Sequence, residues 1–154
     1  MLLASAAAAS PDEDPVTLVQ DVGLAPLPAA VSNNAVASVK AGRREYVVSF
    51  NGLGEGKTHD DTLATTYVYD SRSKSWTEAD PVPGDTGRLA SVAASADGLV
   101  YVFGGYTVAA DGAETSTPWT HAFEPRKRTF TERAPMPVPV DDAVAVTFDD
   151  RYIY

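Results

Sequence analysis

The chain has 154 residues, of which 44% are hydrophobic and 21% charged, so it can bury one sizeable core. Twelve basic against 21 acidic side chains give a formal net charge of −9, which would repel nucleic-acid phosphates and anionic lipids. The sequence has no cysteine and no apolar run long enough to span a membrane. We therefore expect a globular domain that binds neither nucleic acid nor membrane, without disulfides or thiolate metal sites.

The chain begins with an alanine-rich apolar stretch, MLLASAAAAS, followed by the acidic, proline-bounded PDEDP. A short apolar region with small residues two positions apart, such as Ala6 and Ala8, is typical of the end of a secretory signal peptide. No basic residue precedes Leu2, so residues 1–15 are predicted to be either a truncated signal or a disordered tail. The signal interpretation predicts a secreted or periplasmic protein.

Two segments of the sequence repeat the same features at nearly constant spacing. In each, a strand-like run ends at a glycine and is followed by a polar loop, an aromatic strand, a second aromatic residue, a proline and a short apolar run. The matching positions are 53 or 54 residues apart: Gly52 and Gly105, Tyr69 and Phe123, Trp76 and Phe130, Pro83 and Pro137, Leu89 and Ala143. Such a period predicts adjacent copies of one supersecondary unit.

Each repeat contains four strand-like segments separated by turn signals. In the first repeat, residues 34–83, the predicted strands are 35–40, 46–50, 66–70 and 76–80. In the second repeat, residues 88–137, they are 90–95, 99–103, 120–124 and 130–133. A third repeat begins at 142, with a strand at 143–148 and another that runs to Tyr154, and residues 16–30 look like the outermost strand of a further unit.

Four strands in about 50 residues, a glycine pair after the second strand and an aromatic residue starting the fourth resemble the kelch repeat of β-propellers. The pair is Gly104 and Gly105 in VFGGY and Asn51 and Gly52 in SFNGL, where Asn tolerates a left-handed backbone. The resemblance covers residues 18–154. It implies an all-β, kelch-type β-propeller fragment of about two four-stranded antiparallel blades plus the start of a third, with 16–30 closing the last blade.

The segments LAPLPAAVSNNAVASV, GDTGRLA, VYVFGGYTV and MPVPVDDAVAV are most similar to bacterial secreted kelch proteins related to N-acetylneuraminate epimerase and the galactose oxidase superfamily. Galactose oxidase holds copper with two tyrosines and two histidines, and one tyrosine is crosslinked to a cysteine. This chain has no cysteine, and its two histidines, His59 and His121, lie outside any matching context. We therefore expect no copper and no other cofactor, and it stays open whether the protein is an enzyme.

Antiparallel strand order would place the links between blades and the loop after each second strand at one end of the propeller, here called the mouth. Asn34, Arg88 and Asp142 each precede an innermost strand and are 54 residues apart, so they should occupy equivalent positions. Loops 54–65 and 107–118 add further charged side chains to the mouth. The remaining turns carry seven of the 12 basic residues, so we expect an acidic mouth and a basic opposite end.

The candidate ligand-binding residues are the polar groups of the mouth: Asn34, Asp61, Arg88, Glu114, Asp141 and Asp142. Arg88 could pair bidentately with a ligand carboxylate, and Asn34 and Asp142 could bind hydroxyl groups. Alternatively, these side chains cap turns and lock neighbouring blades together. His59 with its neighbouring carboxylates supplies too few ligands to predict a metal site, and no catalytic residue is identified.

Two functions are compatible with this sequence. The first is a secreted kelch propeller that binds or acts on a carbohydrate or a similar polar ligand at the mouth. The alternative is a kelch scaffold that binds a protein through loops 54–65 and 107–118 without catalysis. The ligand and the oligomeric state are not predicted. Since each blade covers the next, the third repeat should expose Val144, Val146 and Phe148, which predicts poor solubility of the isolated chain.

Overall fold

The computed structural model describes residues 23–154; the tail or signal at 1–15 and the first part of segment 16–30 lie outside the described residues. Two four-stranded antiparallel sheets dominate the described part of the chain. The strands of the first sheet neighbour one another in chain order: β1 (Ala35–Ala41), β2 (Arg44–Leu53), β3 (Thr62–Asp70) and β4 (Ser75–Ala79). A short 3-10 helix, His59–Asp61, lies in the loop between β2 and β3.

The second sheet repeats this arrangement with one addition. After β5 (Val92–Ala96) and β6 (Leu99–Phe103), a small hairpin is formed by β7 (Tyr106–Val108) and β8 (Glu114–Ser116). The sheet then continues with β9 (Thr120–Glu124) and β10 (Thr129–Glu132). A last hairpin consists of β11 (Thr147–Phe148) and β12 (Tyr152–Ile153). Over residues 23–154, no helix has the length and apolarity needed to cross a membrane.

The sequence-based strand map is confirmed for both sheets, with three differences elsewhere. Residues 107–118, expected as a loop, contain most of the β7–β8 hairpin. The strand expected at 143–148 is only Thr147–Phe148, and the preceding Val146 exchanges two backbone hydrogen bonds of 2.9 Å with Tyr154. Residues 23–30, the described part of the expected closing strand, form no strand and contact the first sheet through a bond from Trp76 Nε1 to Ala25 O at 2.7 Å. That this segment closes the last blade stays a prediction.

The core lies between the two sheets, and three phenylalanines pack against one another within it. Phe50 and Phe123 are both 0% exposed, with ring centroids 5.7 Å apart in an edge-to-face arrangement. Phe130 packs on both, at 4.8 Å from Phe123 and 5.9 Å from Phe50. Alternation along the strands then places buried valines around these rings, since every second side chain of a strand faces the neighbouring sheet.

The glycine pair is explained by a close approach of two backbones. Gly104 and Gly105 have φ of +55° and +83°, and a Cβ on Gly105 would lie 2.6 Å from Leu89 O. Leu89 and Tyr106 exchange two backbone hydrogen bonds of 2.9 Å, so the start of β7 runs directly beside the link that precedes β5. The first sheet repeats this contact, where a Cβ on Gly52 would lie 2.7 Å from Ser32 O.

Asn51 takes the place of the first glycine in the first sheet, as predicted. Its φ is 57°, in the left-handed region that Asn tolerates better than most residues. The buried side chain also joins the two sheets, since Nδ2 donates to Ser91 Oγ at 3.1 Å and Ser91 Oγ donates to Gly104 O at 3.2 Å. The substitution therefore adds a hydrogen bond between the sheets that a glycine could not make.

The predicted exposure of the third repeat is confirmed. Val144, Val146 and Phe148 are 93%, 63% and 64% exposed, although each belongs to an apolar run typical of an innermost strand. Poor solubility of the isolated chain stays a prediction.

Candidate functional site

The strand register determines which loops share an end of the molecule. Strand β2 runs from Arg44 to Leu53 and pairs antiparallel with both β1 and β3, so the loop 54–61 lies at the end opposite the turns at 42–43 and 71–74. Those two turns are adjacent, since Ser71 N donates to Glu45 O at 3.0 Å. The β7–β8 hairpin extends from β6 at the same end as loop 54–61. The predicted segregation of loops and turns is confirmed.

Arg88 lies at this mouth but is buried, with 1% of its surface exposed. The preceding Gly87 allows this, because a Cβ at that position would collide with the backbone of Leu63. Arg88 Nη1 donates to Gly104 O at 2.6 Å and to Thr117 Oγ1 at 3.4 Å, and Nη2 has no partner among the described residues. No carboxylate of residues 23–154 forms an ion pair with Arg88, and burial lowers its pKa to about 10.

Trp119 covers the guanidinium of Arg88 and reaches the surface. The Arg88 Cζ is 5.5 Å from the centroid of the indole, a cation–π geometry. The same Trp119 is 38% exposed, so the indole is supported by Arg88 while part of it faces solvent at the mouth. Its position is fixed by the backbone as well, since Gly104 N donates to Trp119 O at 2.9 Å.

Three of the predicted acidic residues surround Tyr106 at the mouth. The pKa of Tyr106 is raised first by burial and then by the negative charges of Glu114, Asp142 and Asp141. Asp141 accepts a hydrogen bond from Ser116 Oγ, which ties the link after β10 to the β7–β8 hairpin. We call these residues, Tyr106, Glu114, Ser116, Asp141 and Asp142, the acidic cluster.

Asp142 is held by its backbone and leaves its side chain exposed. Its φ is 47°, and its N–H donates to Ala90 O at 3.1 Å, which anchors the link against the start of the second sheet. The backbone therefore sets the position of Asp142, whereas its carboxylate is accessible to solvent.

Asn34 and Asp61 bind local partners on the first sheet. Asn34 Nδ2 donates to Ser49 Oγ at 2.8 Å. Asp61 Oδ2 accepts from Thr58 Oγ1 at 2.6 Å and from Thr58 N at 3.0 Å, and these bonds lower the pKa of Asp61. Asp61 therefore caps the 3-10 helix. This capping agrees with the structural alternative given by the sequence for Asp61, whereas Asn34 bonds to a side chain of its own sheet.

The two histidines lie in different environments. His59 Nε2 is 3.0 Å from Asp60 Oδ1 in the loop between β2 and β3. His121 is buried, and the centroid of its ring lies 6.3 Å from that of Phe130. In residues 23–154, no three His, Asp or Glu side chains are grouped so that they could hold a metal ion.

Comparison with known proteins gives two findings on the fold. A family profile described as "Kelch motif" matches residues 87–137, which is the second repeat, with its intact glycine pair. The solved structure titled "Structure of YjhT" aligns with a TM-score of 0.61 at 21% sequence identity. The fold is that of a β-propeller fragment whose second repeat matches the Kelch motif. The alignment covers 83% of this chain and 34% of the YjhT chain, so the present chain spans about a third of that structure. No curated protein matches this chain significantly.

In kelch terms, the two sheets are neighbouring blades, and the three positions 54 residues apart have diverged. Asn34 is half-buried, Arg88 is buried and Asp142 is exposed, so equivalent places in the repeat hold side chains with different surroundings. The structure brings Glu114, Asp141 and Asp142 together and leaves Asn34 and Asp61 with partners of their own.

Sequence reasoning missed Trp119 and Tyr106 as mouth residues. Trp119 stands directly before β9, and Tyr106 directly follows the glycine pair. Both are aromatic residues next to a loop, and neither lies at a position of the repeat that enters the core, as Phe50 and Phe123 do. That combination in the sequence could have indicated them.

Proposed function

We propose that this protein is a secreted kelch propeller that binds, or acts on, a carbohydrate or a similarly hydroxyl-rich ligand at its mouth. The observation that carries the proposal is the partly exposed indole of Trp119 at the same end of the blades as the acidic cluster. The similarity of GDTGRLA and VYVFGGYTV to secreted propellers related to N-acetylneuraminate epimerase supports the same ligand class.

The two groups suit the two kinds of surface that a sugar presents. One face of a pyranose ring consists of C–H bonds and can pack on an aromatic ring such as that of Trp119. The hydroxyl groups around the ring donate hydrogen bonds, and the carboxylates of Glu114 and Asp142 accept them strongly because they are charged. A mostly apolar platform with a few polar groups around it is the usual composition of a small-molecule site.

Arg88 has a supporting role in this proposal. Because its side chain is buried, it holds the indole of Trp119 in place through the cation–π contact and is itself held by Gly104 O and Thr117 Oγ1. Direct pairing of Arg88 with a ligand carboxylate would require its unpartnered Nη2 to become accessible, which makes Arg88 a positioning residue here.

The test is glycan-array screening of the purified protein, followed by calorimetric titration of any glycan that binds. Trp119→Ala and Asp142→Asn should each weaken binding about tenfold or more, since each removes one stacking or charge-assisted contact. Two matched controls lie at the opposite end: Tyr152→Ala removes an aromatic residue that is 47% exposed, and Asp149→Asn changes an exposed aspartate. Both controls should bind normally.

Two results would contradict the proposal. One is the absence of any glycan ligand, and the other is a glycan whose affinity is the same in Trp119→Ala, Asp142→Asn and the controls. If a protein partner is found instead, and its binding depends on loops 54–65 and 107–118, the scaffold function is the correct one.

A further inference from the structure

The end of the blades opposite the mouth contains a cleft lined by three arginines from two blades. Arg43 and Arg44 come from the hairpin between β1 and β2, and Arg126 comes from the turn between β9 and β10. Gly42 and Tyr46 contribute to the lining, and the cleft has a volume of about 560 Å³, which lies within the usual range of small-molecule sites. We call this cleft, lined by Arg43, Arg44 and Arg126, the arginine cleft.

Among residues 23–154, two of these arginines have no partner of opposite charge. Arg44 Nη1 pairs with Asp70 Oδ2 at 3.1 Å, and the neighbouring Lys127 pairs with Glu124 Oε2 at 2.6 Å. Within residues 23–154, neither Arg43 nor Arg126 forms an ion pair, and both are exposed. Glu45, the carboxylate next to Arg44 in the chain, lines a different hollow.

The two blades approach each other closely at this cleft. A Cβ on Gly42 would lie 3.8 Å from Arg126 Nη1, so the guanidinium of the second blade rests against the hairpin of the first. The chain as a whole carries a net charge of −9. The arginines therefore form a local positive patch on a protein whose overall potential is negative. Like charges held together without counter-charges favour binding of an anion that both can share.

The geometry points to the arginine cleft as a binding site for a tetrahedral oxyanion, a phosphate or sulfate group that is either free or carried as an ester on a larger ligand. A guanidinium presents a planar fork of N–H donors that matches two oxygens of such a group. Arg43 and Arg126 supply the unpaired donors from the two blades, and Arg44, which is paired with Asp70, lines the same cleft. An anion bound here joins the first blade to the second. The site is independent of the function proposed for the mouth.

The test uses two probes, inorganic phosphate and a sulfated disaccharide, with binding measured by calorimetry and by the midpoint of thermal unfolding. A ligand that binds only the folded state raises that midpoint as its concentration rises. Arg43→Ala and Arg126→Ala should each weaken binding about tenfold, the loss expected for one charge-assisted contact. Arg72→Ala is the matched control, because it removes the same charge from the same end at a side chain that does not line the cleft.

The outcomes separate the sources of the anion. Binding of both probes indicates that the oxyanion alone is recognised. Binding of phosphate only indicates a free anion as the ligand, and binding of the sulfated disaccharide only indicates a sulfate ester. Each of these results supports the site if Arg43→Ala and Arg126→Ala weaken the binding. Equal weakening by Arg72→Ala would show a diffuse effect of charge and overturn the proposal, as would the failure of both probes to bind at millimolar concentration. Arg126→Lys, which keeps the charge without the fork, should bind more weakly than the unchanged protein.

Discussion

Replacing Gly105 with alanine tests whether the glycine pair is needed for a close approach of backbones or only for its dihedral angles. Gly112 is a control with the same φ of +83° and open space around the position of an added Cβ, whereas a Cβ on Gly105 would meet Leu89 O at 2.6 Å and Ser91 N at 2.9 Å. At Gly112 only the left-handed strain applies, about 1 kcal/mol. At Gly105 overpacking and the weakening of the two Leu89–Tyr106 hydrogen bonds are added, for a total of about 3–5 kcal/mol.

The free energy of unfolding of both variants is measured by urea denaturation, followed by tryptophan fluorescence and by circular dichroism. We expect Gly105→Ala to lose about 2–4 kcal/mol more than Gly112→Ala, at an unchanged dependence on urea concentration. Equal losses in the two variants would refute the reasoning, since they would show that the link at Leu89 moves aside without cost and that only the dihedral angle demands glycine.

Three further predictions concern the buried residues between and within the blades. Arg88→Met should change the free energy of unfolding by about 1–2 kcal/mol at most, because the removal of an uncompensated buried charge offsets the lost hydrogen bonds. Arg88→Ala should cost more, because it leaves a cavity. A larger loss in Arg88→Met than in Arg88→Ala would contradict this. Phe123→Ala should cost about 3–5 kcal/mol in urea denaturation, against about 0.5 kcal/mol for the exposed Phe148→Ala, and similar losses would exclude a core at Phe123. The pKa of His121 is lowered below its ordinary value by burial and then by the charge of Arg88, although Glu132 opposes them. The unfolded state therefore binds the proton more readily, and the free energy of unfolding should fall as the pH drops below about 6.5. His121→Asn should weaken this pH dependence, and an unchanged profile would contradict the prediction.

The repeat made much of the fold predictable. Strands, turns and the glycine pair are specified by short-range chemistry, and the spacing between Tyr69 and Phe123 or Trp76 and Phe130 repeats that chemistry at a fixed period. The structure confirms β6 and β9 at their predicted bounds and places Phe130 against Phe50 of the neighbouring blade. The order of the strands also determined which turns lie at the acidic mouth and which at the basic end.

The site was predicted less well, because side-chain environments depend on which segments meet. Arg88, Asn34 and Asp142 share one place in the repeat, yet Arg88 alone of the three is buried, with Trp119 and Gly104 in contact with its guanidinium. The arginine cleft arises in the same way, since Arg43 and Arg126 are 83 positions apart and become neighbours only through the packing of two blades. The sequence by itself determined the repeat, the strands and the end at which each loop lies, since these follow from local backbone preferences and a period. The tertiary structure decided burial, charge pairing and the neighbours of each polar group, because these depend on contacts between residues far apart in the chain.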